Sequence, residues 1–401
     1  MNIIKKIFNT FFFLIILFTI DLFLTQLYLF NFLQKKLEKQ YVSDLKNRIP
    51  NKYYKYTFKE KSVFKSNYIG NEYTIKTNNL GFRDYKVRDL DNKKKYAIVI
   101  GDSYVEGVAL EYEDTLVAHL NQKIIDNKIK NYEFLNAGVS SYSPYIYKRK
   151  VISVLENNNW LKVDYVILLL DKSDISDELN YINSENRPEY FPEIKQTYNF
   201  KYNEDFFDDL KKMHLWRFIT KQTTTGSFLK KIGDILDLER RNIRDRYKLS
   251  KKLDKSFFEI TSKQVRSFRS INTRRHYANY FHGNLWETKG KKSLNFSVQN
   301  IDDLKNYLNK KRIKLLVVIF PWPFEIVNKI PRENYTKYTI KSLEEKKIKY
   351  VSAYNHFLKG DVYSKISDYY IYNDMHFNGE GNKVLGNIIW EEYKKTVTSK
   401  D

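Results

Sequence analysis

The sequence predicts an α/β fold built on a parallel sheet, and three observations support this prediction. Short apolar runs typical of strands alternate with helical segments from residue 95 onward. Within the predicted strand at residues 163–171, the stretch 165–170 has no charged residue, as expected of a strand that is covered on both faces. The chain has 401 residues, of which 42% are hydrophobic, so it can bury a substantial core. Strands joined through helices imply right-handed crossovers.

The predicted elements follow one another in a regular order. Thr115 is a candidate N-cap, and Ser143-Pro144 opens the next helix, since proline suits a first helical turn. The strands are predicted at residues 96–101, 132–138, 163–171, 314–321 and 348–353, and the last helix at residues 381–395. The α/β domain therefore has a first half at residues 91–180 and a second half at residues 301–398.

The amino-terminal segment is predicted to be a membrane anchor. Residues 7–33 form a 27-residue apolar stretch that is long enough to span a bilayer and has no small-residue cleavage site. Residues 1–35 are thus expected to be an uncleaved signal anchor. Asp21 lies inside the stretch, where a carboxyl group is costly. It is either protonated or displaced by tilt, or it faces a partner helix.

Two further regions are expected around the α/β domain. Residues 36–90 are polar and rich in tyrosine, and we predict a membrane-proximal stalk. Residues 181–300 lack strand signals, and we predict an inserted, mainly helical cap. Residues 201–300 hold 23 lysines and arginines against 11 carboxylates, so this cap is basic.

Composition excludes several classes of function. The chain has no cysteine, which excludes disulfides, thiolate zinc sites and a cysteine nucleophile. Its formal charge is +22, which fits either a solvated basic surface or attraction to anionic lipid or glycan. No nucleic-acid-binding motif is present, so nucleic acid is not an expected partner. No metal-ligand set is visible, and no cofactor is expected.

Polar residues follow the predicted strands, where sites form in open α/β sheets. Ser103 comes directly after the first strand and is a candidate nucleophile that needs an adjacent base. His376 is the candidate base, because histidine as a residue type titrates near neutral pH. Asp374 is expected to orient its ring. Backbone N–H groups of Ser103 and Gly138 are candidate oxyanion donors.

These motifs resemble the SGNH (GDSL-type) hydrolase superfamily. Ser103 in GDSY matches its first block, Gly138 in NAGVSSYSP its second, and Asp374 and His376 in NDMHFNGEGN its last. The segment TNNLGFRD upstream resembles membrane-tethered bacterial members. The resemblance implies a flavodoxin-like three-layer α/β/α sandwich with strand order 2-1-3-4-5 and ester chemistry through a serine acyl-enzyme.

Two departures from the family pattern stand out. The third block, usually G-x-N-D, is here Asp-Lys-Ser-Asp, so Ser173 replaces the asparagine that donates to the oxyanion. The last block reads Asp-x-His, with Asn373 at the more usual acid position, and this form resembles envelope O-acetyltransferase relatives. Because an oxyanion donor contributes about 100- to 1000-fold, Ser173 bears directly on whether the site is active.

Three residues near the strand ends are candidates for substrate binding. They are Asp102, Asp174 and Trp322, the last able to stack on a sugar ring. Each has a structural alternative. The carboxylates can cap helix N-termini, and the indole can pack in the core.

The sequence thus predicts a membrane-anchored esterase or O-acyltransferase. Its substrate is expected to be an acyl ester, most simply acetyl, on a cell-envelope glycan or lipid-linked sugar, with the catalytic domain periplasmic or extracytoplasmic. One alternative is a catalytically degenerate protein that binds glycan or assists assembly. Another is a lipase or thioesterase whose basic cap lies on anionic lipid.

Overall fold

The computed structural model describes residues 8–13, 15–17, 19–21, 47–179 (except 52, 55, 69 and 70), 286–328, 334–372 and 374–398. Most of the predicted cap lies outside these residues, as does Asn373. Residues 47–193 and 260–401 belong to one structural unit, which contains the sheet.

Eight strands form one mixed sheet, and two more form a separate hairpin-like pair. The strands are β1 Arg48–Pro50, β2 Tyr56–Phe58, β3 Val63–Tyr68, β4 Asn71–Thr77, β5 Arg83–Asp84, β6 Lys95–Ile100, β7 Tyr132–Asn136, β8 Lys162–Leu170, β9 Lys314–Ile319 and β10 Tyr350–Ser352. The sheet order is β10-β9-β8-β6-β7-β5-β4-β3, and β6 to β10 are mutually parallel. Numbered along the chain, the five parallel strands run 2-1-3-4-5, the order that the family resemblance implies.

Helices cover both faces of the parallel strands. They are α1 Ser103–Glu106, α2 Leu116–Asp126, α3 Pro144–Asn157, α4 Asp174–Glu178, α5 Lys291–Lys310, α6 Pro323–Asn328, α7 Asn334–Glu345, α8 Tyr354–Phe357, α9 Val362–Tyr369 and α10 Gly379–Thr398. Side chains of β6 alternate between two cores. Ile98 packs with α3 and α5, and Val99 packs with α2 and α10. β8 is buried on both faces, which explains why its sequence does not alternate between polar and apolar residues.

The segment predicted as a stalk differs from that expectation over residues 56–84. Strands β3, β4 and β5 pair antiparallel and extend the main sheet beyond β7. β3 and β4 each alternate between more and less exposed positions, the pattern of strands with one solvated face. Their polar residues mark that outer face and do not mark an unpaired tether.

The TNNLGFRD segment ties this extension to the first parallel strand. The Asn78 side chain accepts from the backbone N–H groups of Leu80 and Phe82 and donates to Asp84 Oδ2 at 3.0 Å. Arg83 is buried and donates to the carbonyl oxygens of Glu106 and Gly107, at 2.8 and 2.7 Å. It thereby holds the end of α1, the helix that begins at Ser103.

No helix among the described residues is long and apolar enough to cross a bilayer. Of the predicted anchor, only parts of residues 8–21 are described, and these are helical. The other part of the apolar stretch lies outside the described residues.

Candidate active site

Two segments far apart in the chain bring together a serine, a histidine and an aspartate. Ser103 is the first residue of α1, directly after β6, and His376 lies in the turn before α10. His376 Nε2 is 2.8 Å from Ser103 Oγ, and His376 Nδ1 is 2.5 Å from Asp374 Oδ1. The structure therefore places the predicted nucleophile, base and acid in one hydrogen-bonded line.

The contacts fix which ring nitrogen carries the proton. The Asp374 carboxylate accepts from Nδ1–H, so Nε2 is left to accept the Ser103 proton. Asp374 also accepts from the His376 backbone N–H at 3.0 Å. Burial alone would raise the pKa of Asp374, but its hydrogen bonds and charge interaction with His376 outweigh burial and hold that pKa below its usual value.

Two tyrosine rings contact the His376 ring, and sequence reasoning missed both. The Tyr68 ring meets the His376 ring edge-on at 5.2 Å, and its hydroxyl donates to Asp374 Oδ2 at 3.4 Å. The Tyr104 ring lies 4.8 Å from that of His376, and its hydroxyl donates to the Met375 carbonyl at 2.7 Å. Tyr104 follows the nucleophile directly, but Tyr68 comes from β3, inside the segment expected to be a stalk.

The predicted oxyanion donors are differently engaged. The Gly138 N–H donates to Asn136 Oδ1 at 3.1 Å, so it is not directed at a substrate. Gly138 is required for another reason, because a Cβ there would lie 2.5 Å from the Glu106 nitrogen. Among the described residues, the Ser103 N–H has no acceptor. It remains the best placed donor, at the first position of α1.

Ser173 does not take over the role of the family's asparagine in this arrangement. Its hydroxyl donates to Asp171 Oδ2, and its backbone N–H donates to the same oxygen at 3.1 Å. A serine hydroxyl has one proton, and that proton is engaged. The Ser173 hydroxyl also lies 3.4 Å from Asp102 Oδ2, which in turn lies 3.3 Å from Ser103 Oγ.

The three residues predicted to bind substrate are buried and have structural partners. Asp102 caps α1 by accepting from the Tyr104 N–H at 3.1 Å. Asp174 accepts from Tyr147 Oη at 2.9 Å. The Trp322 indole donates to Asp171 Oδ1 at 2.6 Å and is 2% exposed, so it cannot stack on a sugar. These residues support the strand ends beneath the nucleophile.

The acidic cluster after β8 is therefore part of the interior. Burial, followed by the charge of Asp171, raises the pKa of Asp102 well above its usual value. The pKa of Asp174 is also raised well above its usual value, first by burial and then by the charge of Asp102. Carboxyl groups so close together in a dry site favour protonated forms. Asp102 connects these buried carboxyl groups to the nucleophile, since its Oδ2 lies 3.3 Å from Ser103 Oγ.

Glu178, at the end of this cluster, is expected to make the fold less stable as the pH rises from about 5 to 8. It is fully buried, accepts from the Tyr145 N–H at 2.6 Å, and burial raises its pKa to about 8. Because the folded pKa lies above the unfolded one, the stabilisation is complete below pH 4.5 and is lost as pH rises through 8.

As the pH rises from 5 to 8, we expect the free energy of unfolding to fall by about 3 kcal/mol because of this group. Glu178→Gln should remove most of that slope, measured by urea unfolding at both pH values. Asp177→Asn, one residue earlier and less buried, is the control. An unchanged slope in Glu178→Gln would contradict the assignment.

No group of three or more potential metal ligands is present within the described ranges. The hydrogen-bonded line of Ser103, His376 and Asp374 needs none for acyl transfer.

The chain is similar to several solved structures at low sequence identity. No protein-family model matches the sequence, and neither does any curated protein. Among solved structures, the chain is similar to the psychrotrophic esterase EstA from Pseudoalteromonas sp. (11% identity, TM-score 0.37, 76% of this chain and 98% of that chain covered). It is also similar to the acetyl xylan esterase AlAXEase (12%, 0.37, 74% and 98%) and to a GDSL-like lipase from Bacteroides thetaiotaomicron (12%, 0.34, 76% and 89%).

The order of the five parallel strands, 2-1-3-4-5, agrees with the order that the sequence resemblance to SGNH (GDSL-type) hydrolases implies. The roles given to individual residues rest on the distances in this structure.

Proposed function

We propose that this chain is a serine esterase or O-acyltransferase that works through an acyl-enzyme on Ser103. One observation carries the proposal: Ser103 Oγ, His376 and Asp374 are joined by contacts of 2.8 and 2.5 Å. A serine hydroxyl needs such a base to attack an ester carbonyl at neutral pH.

In the first half-reaction, Ser103 Oγ attacks the acyl carbonyl carbon while His376 Nε2 takes its proton. Asp374 accepts from Nδ1–H throughout and stabilises the imidazolium that forms. The carbonyl oxygen becomes an oxyanion, which the Ser103 N–H is placed to receive. The tetrahedral intermediate collapses, the ester C–O bond breaks, and His376 protonates the departing alkoxide.

In the second half-reaction, a hydroxyl group replaces the alcohol that left. His376 removes its proton, its oxygen attacks the acyl carbonyl, and Ser103 leaves with that proton. Water as the acceptor makes an esterase, and a sugar hydroxyl makes a transferase. Both reactions use the same three residues.

We further propose that the substrate is an acetyl ester of a cell-envelope glycan and that the chain is anchored extracytoplasmically through residues 7–33. The apolar sequence of that stretch and the helical residues within 8–21 support the anchor. The Asp-x-His form of the last block supports the acetyl group. In this proposal Asp21 faces a partner helix.

Full-length protein in neutral detergent is expected to hydrolyse p-nitrophenyl acetate and to react with a fluorophosphonate probe at Ser103. Hydrolysis of the acetyl ester faster than the butyryl and decanoyl esters would support an acetyl substrate, and the reverse would favour a lipase or thioesterase. Labelling without turnover would indicate a transferase that lacks its acceptor. A folded protein that neither reacts nor labels would contradict the proposal.

One observation favours a second candidate, a glycan-binding protein without catalysis. The Gly138 N–H and the Ser173 hydroxyl are both engaged with side chains, which leaves the oxyanion with the Ser103 N–H. The same probe separates the two candidates. It requires an activated serine, which a binding protein does not need.

A further inference from the structure

The edge of the sheet opposite the active site carries a concentration of positive charge. All five parallel strands begin at this edge, and the short segments that precede or open them are rich in lysine. We define the amino-edge band as the residues of these segments, namely 91–95, 128–131, 158–162, 310–314 and 346–349. Together they contain thirteen lysines and arginines and one carboxylate, Asp91.

The general basicity of the chain does not explain this concentration. Residues 47–179 and 286–398 contain 41 lysines and arginines and 31 aspartates and glutamates. Outside the band, 28 cations and 30 anions remain, which is close to neutral. Within residues 47–179 and 286–398, the excess positive charge therefore lies in the band, while the strand ends near Ser103 carry mainly carboxylates.

The positive charge of the band is exposed and only partly neutralised. Four of its lysines pair with neighbouring carboxylates, in the pairs Lys94–Glu133, Lys311–Glu156, Lys346–Asp302 and Lys349–Glu392. Eight others are exposed and make no ion pair within the part of the chain described, namely Lys93, Lys95, Lys128, Lys130, Lys162, Lys310, Arg312 and Lys347. Like charges at this density repel one another unless an anion is bound.

Three of these cations occupy backbone positions that do not suit them. Lys128, Arg312 and Lys347 have φ values of 54°, 59° and 52°, in the left-handed region that favours glycine and asparagine. Turn geometry alone would select one of those two residues, as it does at Asn131, which has φ 57°. Turn geometry therefore does not require a basic side chain at any of these three positions.

Apolar side chains beside the band indicate which anion it meets. Ile125 and Ile129 are 67% and 39% exposed and flank Lys128 and Lys130. Trp160 lies half-exposed in the segment before β8. Lysines mixed with exposed isoleucine and tryptophan suit the interface of an anionic bilayer, where headgroups take the charge and the acyl boundary takes the apolar groups. A hydrophilic polyanion offers nothing to the isoleucines.

We propose that the amino-edge band docks this unit onto an anionic phospholipid surface. The band spans four strand spacings, about 20 Å. The six residues of β6 separate it from Ser103 by about the same distance. Docking in this way turns the catalytic serine away from the bilayer, toward a substrate that is not embedded in it.

The test measures lysine acetylation in full-length protein reconstituted into vesicles of phosphatidylcholine, with or without 30% phosphatidylglycerol. Reaction rates at single lysines are read by mass spectrometry and divided by those of Lys337, Lys359 and Lys383, exposed lysines at the opposite end of the strands. This ratio is independent of how strongly the amino-terminal segment inserts. We expect band lysines to react several-fold more slowly with phosphatidylglycerol, and 0.5 M NaCl to restore their rates.

A triple variant links this protection to the named residues. Lys128→Asn, Arg312→Asn and Lys347→Asn together remove three charges and relieve three left-handed positions, so this variant should fold at least as well as the natural protein. With about fivefold in affinity per cation, we expect docking to weaken about 100-fold and protection of Lys130 and Lys310 to disappear. Lys337→Gln, Lys359→Gln and Lys383→Gln remove the same charge at the opposite end of the strands and should leave protection unchanged.

Either of two results would overturn the proposal. One is equal lysine reactivity on neutral and anionic vesicles. The other is protection by a soluble polyanion such as heparin but not by phosphatidylglycerol, which would identify a polyanion site. Both readouts are independent of esterase activity, which the band variants should retain.

Discussion

Alanine in place of His376 is expected to lower kcat for p-nitrophenyl acetate at least about 10⁴-fold. The substitution removes the group that takes the Ser103 proton at 2.8 Å, and no other described histidine lies within hydrogen-bond distance of that hydroxyl. Ser103→Ala should have an equal effect, because the two residues act as one unit. The double variant should be no worse than either single one.

The matched control is His356→Ala, which removes an exposed histidine of α8 and should leave kcat unchanged. Tyr68→Phe removes the 3.4 Å contact to Asp374, and we expect a loss of no more than about threefold. If His376→Ala retained a tenth of the activity, the base would have to be another group. Circular dichroism of each variant separates loss of chemistry from loss of folding.

The sequence predicts the meeting of Ser103 and His376 better than their surroundings. The motif resemblance pairs the two residues, and the strand pattern puts Ser103 at the carboxyl end of a parallel strand, where sites of this fold class form. The direction of a single N–H or O–H is not contained in such a pattern. Gly138 and Ser173 lie at the expected positions in the chain, but side chains of Asn136 and Asp171 take their protons.

The prediction that Trp322 contacts substrate differs from the structure for a related reason. Trp322 stands between two prolines after an apolar strand, a pattern typical of an exposed loop. In the structure its indole N–H meets a buried carboxylate, Asp171, which sequence reasoning assigned to no partner. Burial of one polar group depends on finding another, and such pairs join segments about 150 residues apart.

Strands β3 and β4 were missed because one-sided edge strands give a weak signal. Their exposed faces carry Lys65, Glu72 and Lys76, so mean hydropathy stays low across the segment. The period-two alternation of their burial is visible only once the buried face is known, here through Tyr73 and Ile75. Tyr68 lies in this same extension and contacts Asp374. Because the strands were not predicted, the predicted site lacked Tyr68 as well.

Replacing Arg83 by methionine is expected to destabilise the fold by about 4 kcal/mol. The guanidinium is 1% exposed and donates to four carbonyl oxygens, those of Glu106, Gly107, Leu110 and Thr74. Methionine fills similar volume but leaves these acceptors buried without donors. Urea unfolding at pH 7 measures the loss.

Arg83→Lys should lose less than Arg83→Met and still be clearly destabilised, because an ammonium is a point donor and cannot reproduce the planar fork. Lys76→Met, on the exposed face of the neighbouring strand, is the control and should stay within about 0.5 kcal/mol of the natural protein. A loss below 1 kcal/mol in Arg83→Met would mean that water reaches these carbonyls.

The expected loss also has a catalytic consequence. Glu106 and Gly107 end the short helix that begins at the nucleophile, so the same guanidinium fixes both the extension of the sheet and the position of Ser103. At 10 °C, where Arg83→Lys remains folded, we therefore expect kcat to fall while fluorophosphonate still labels Ser103. Unchanged kcat in that variant would confine Arg83 to stability alone.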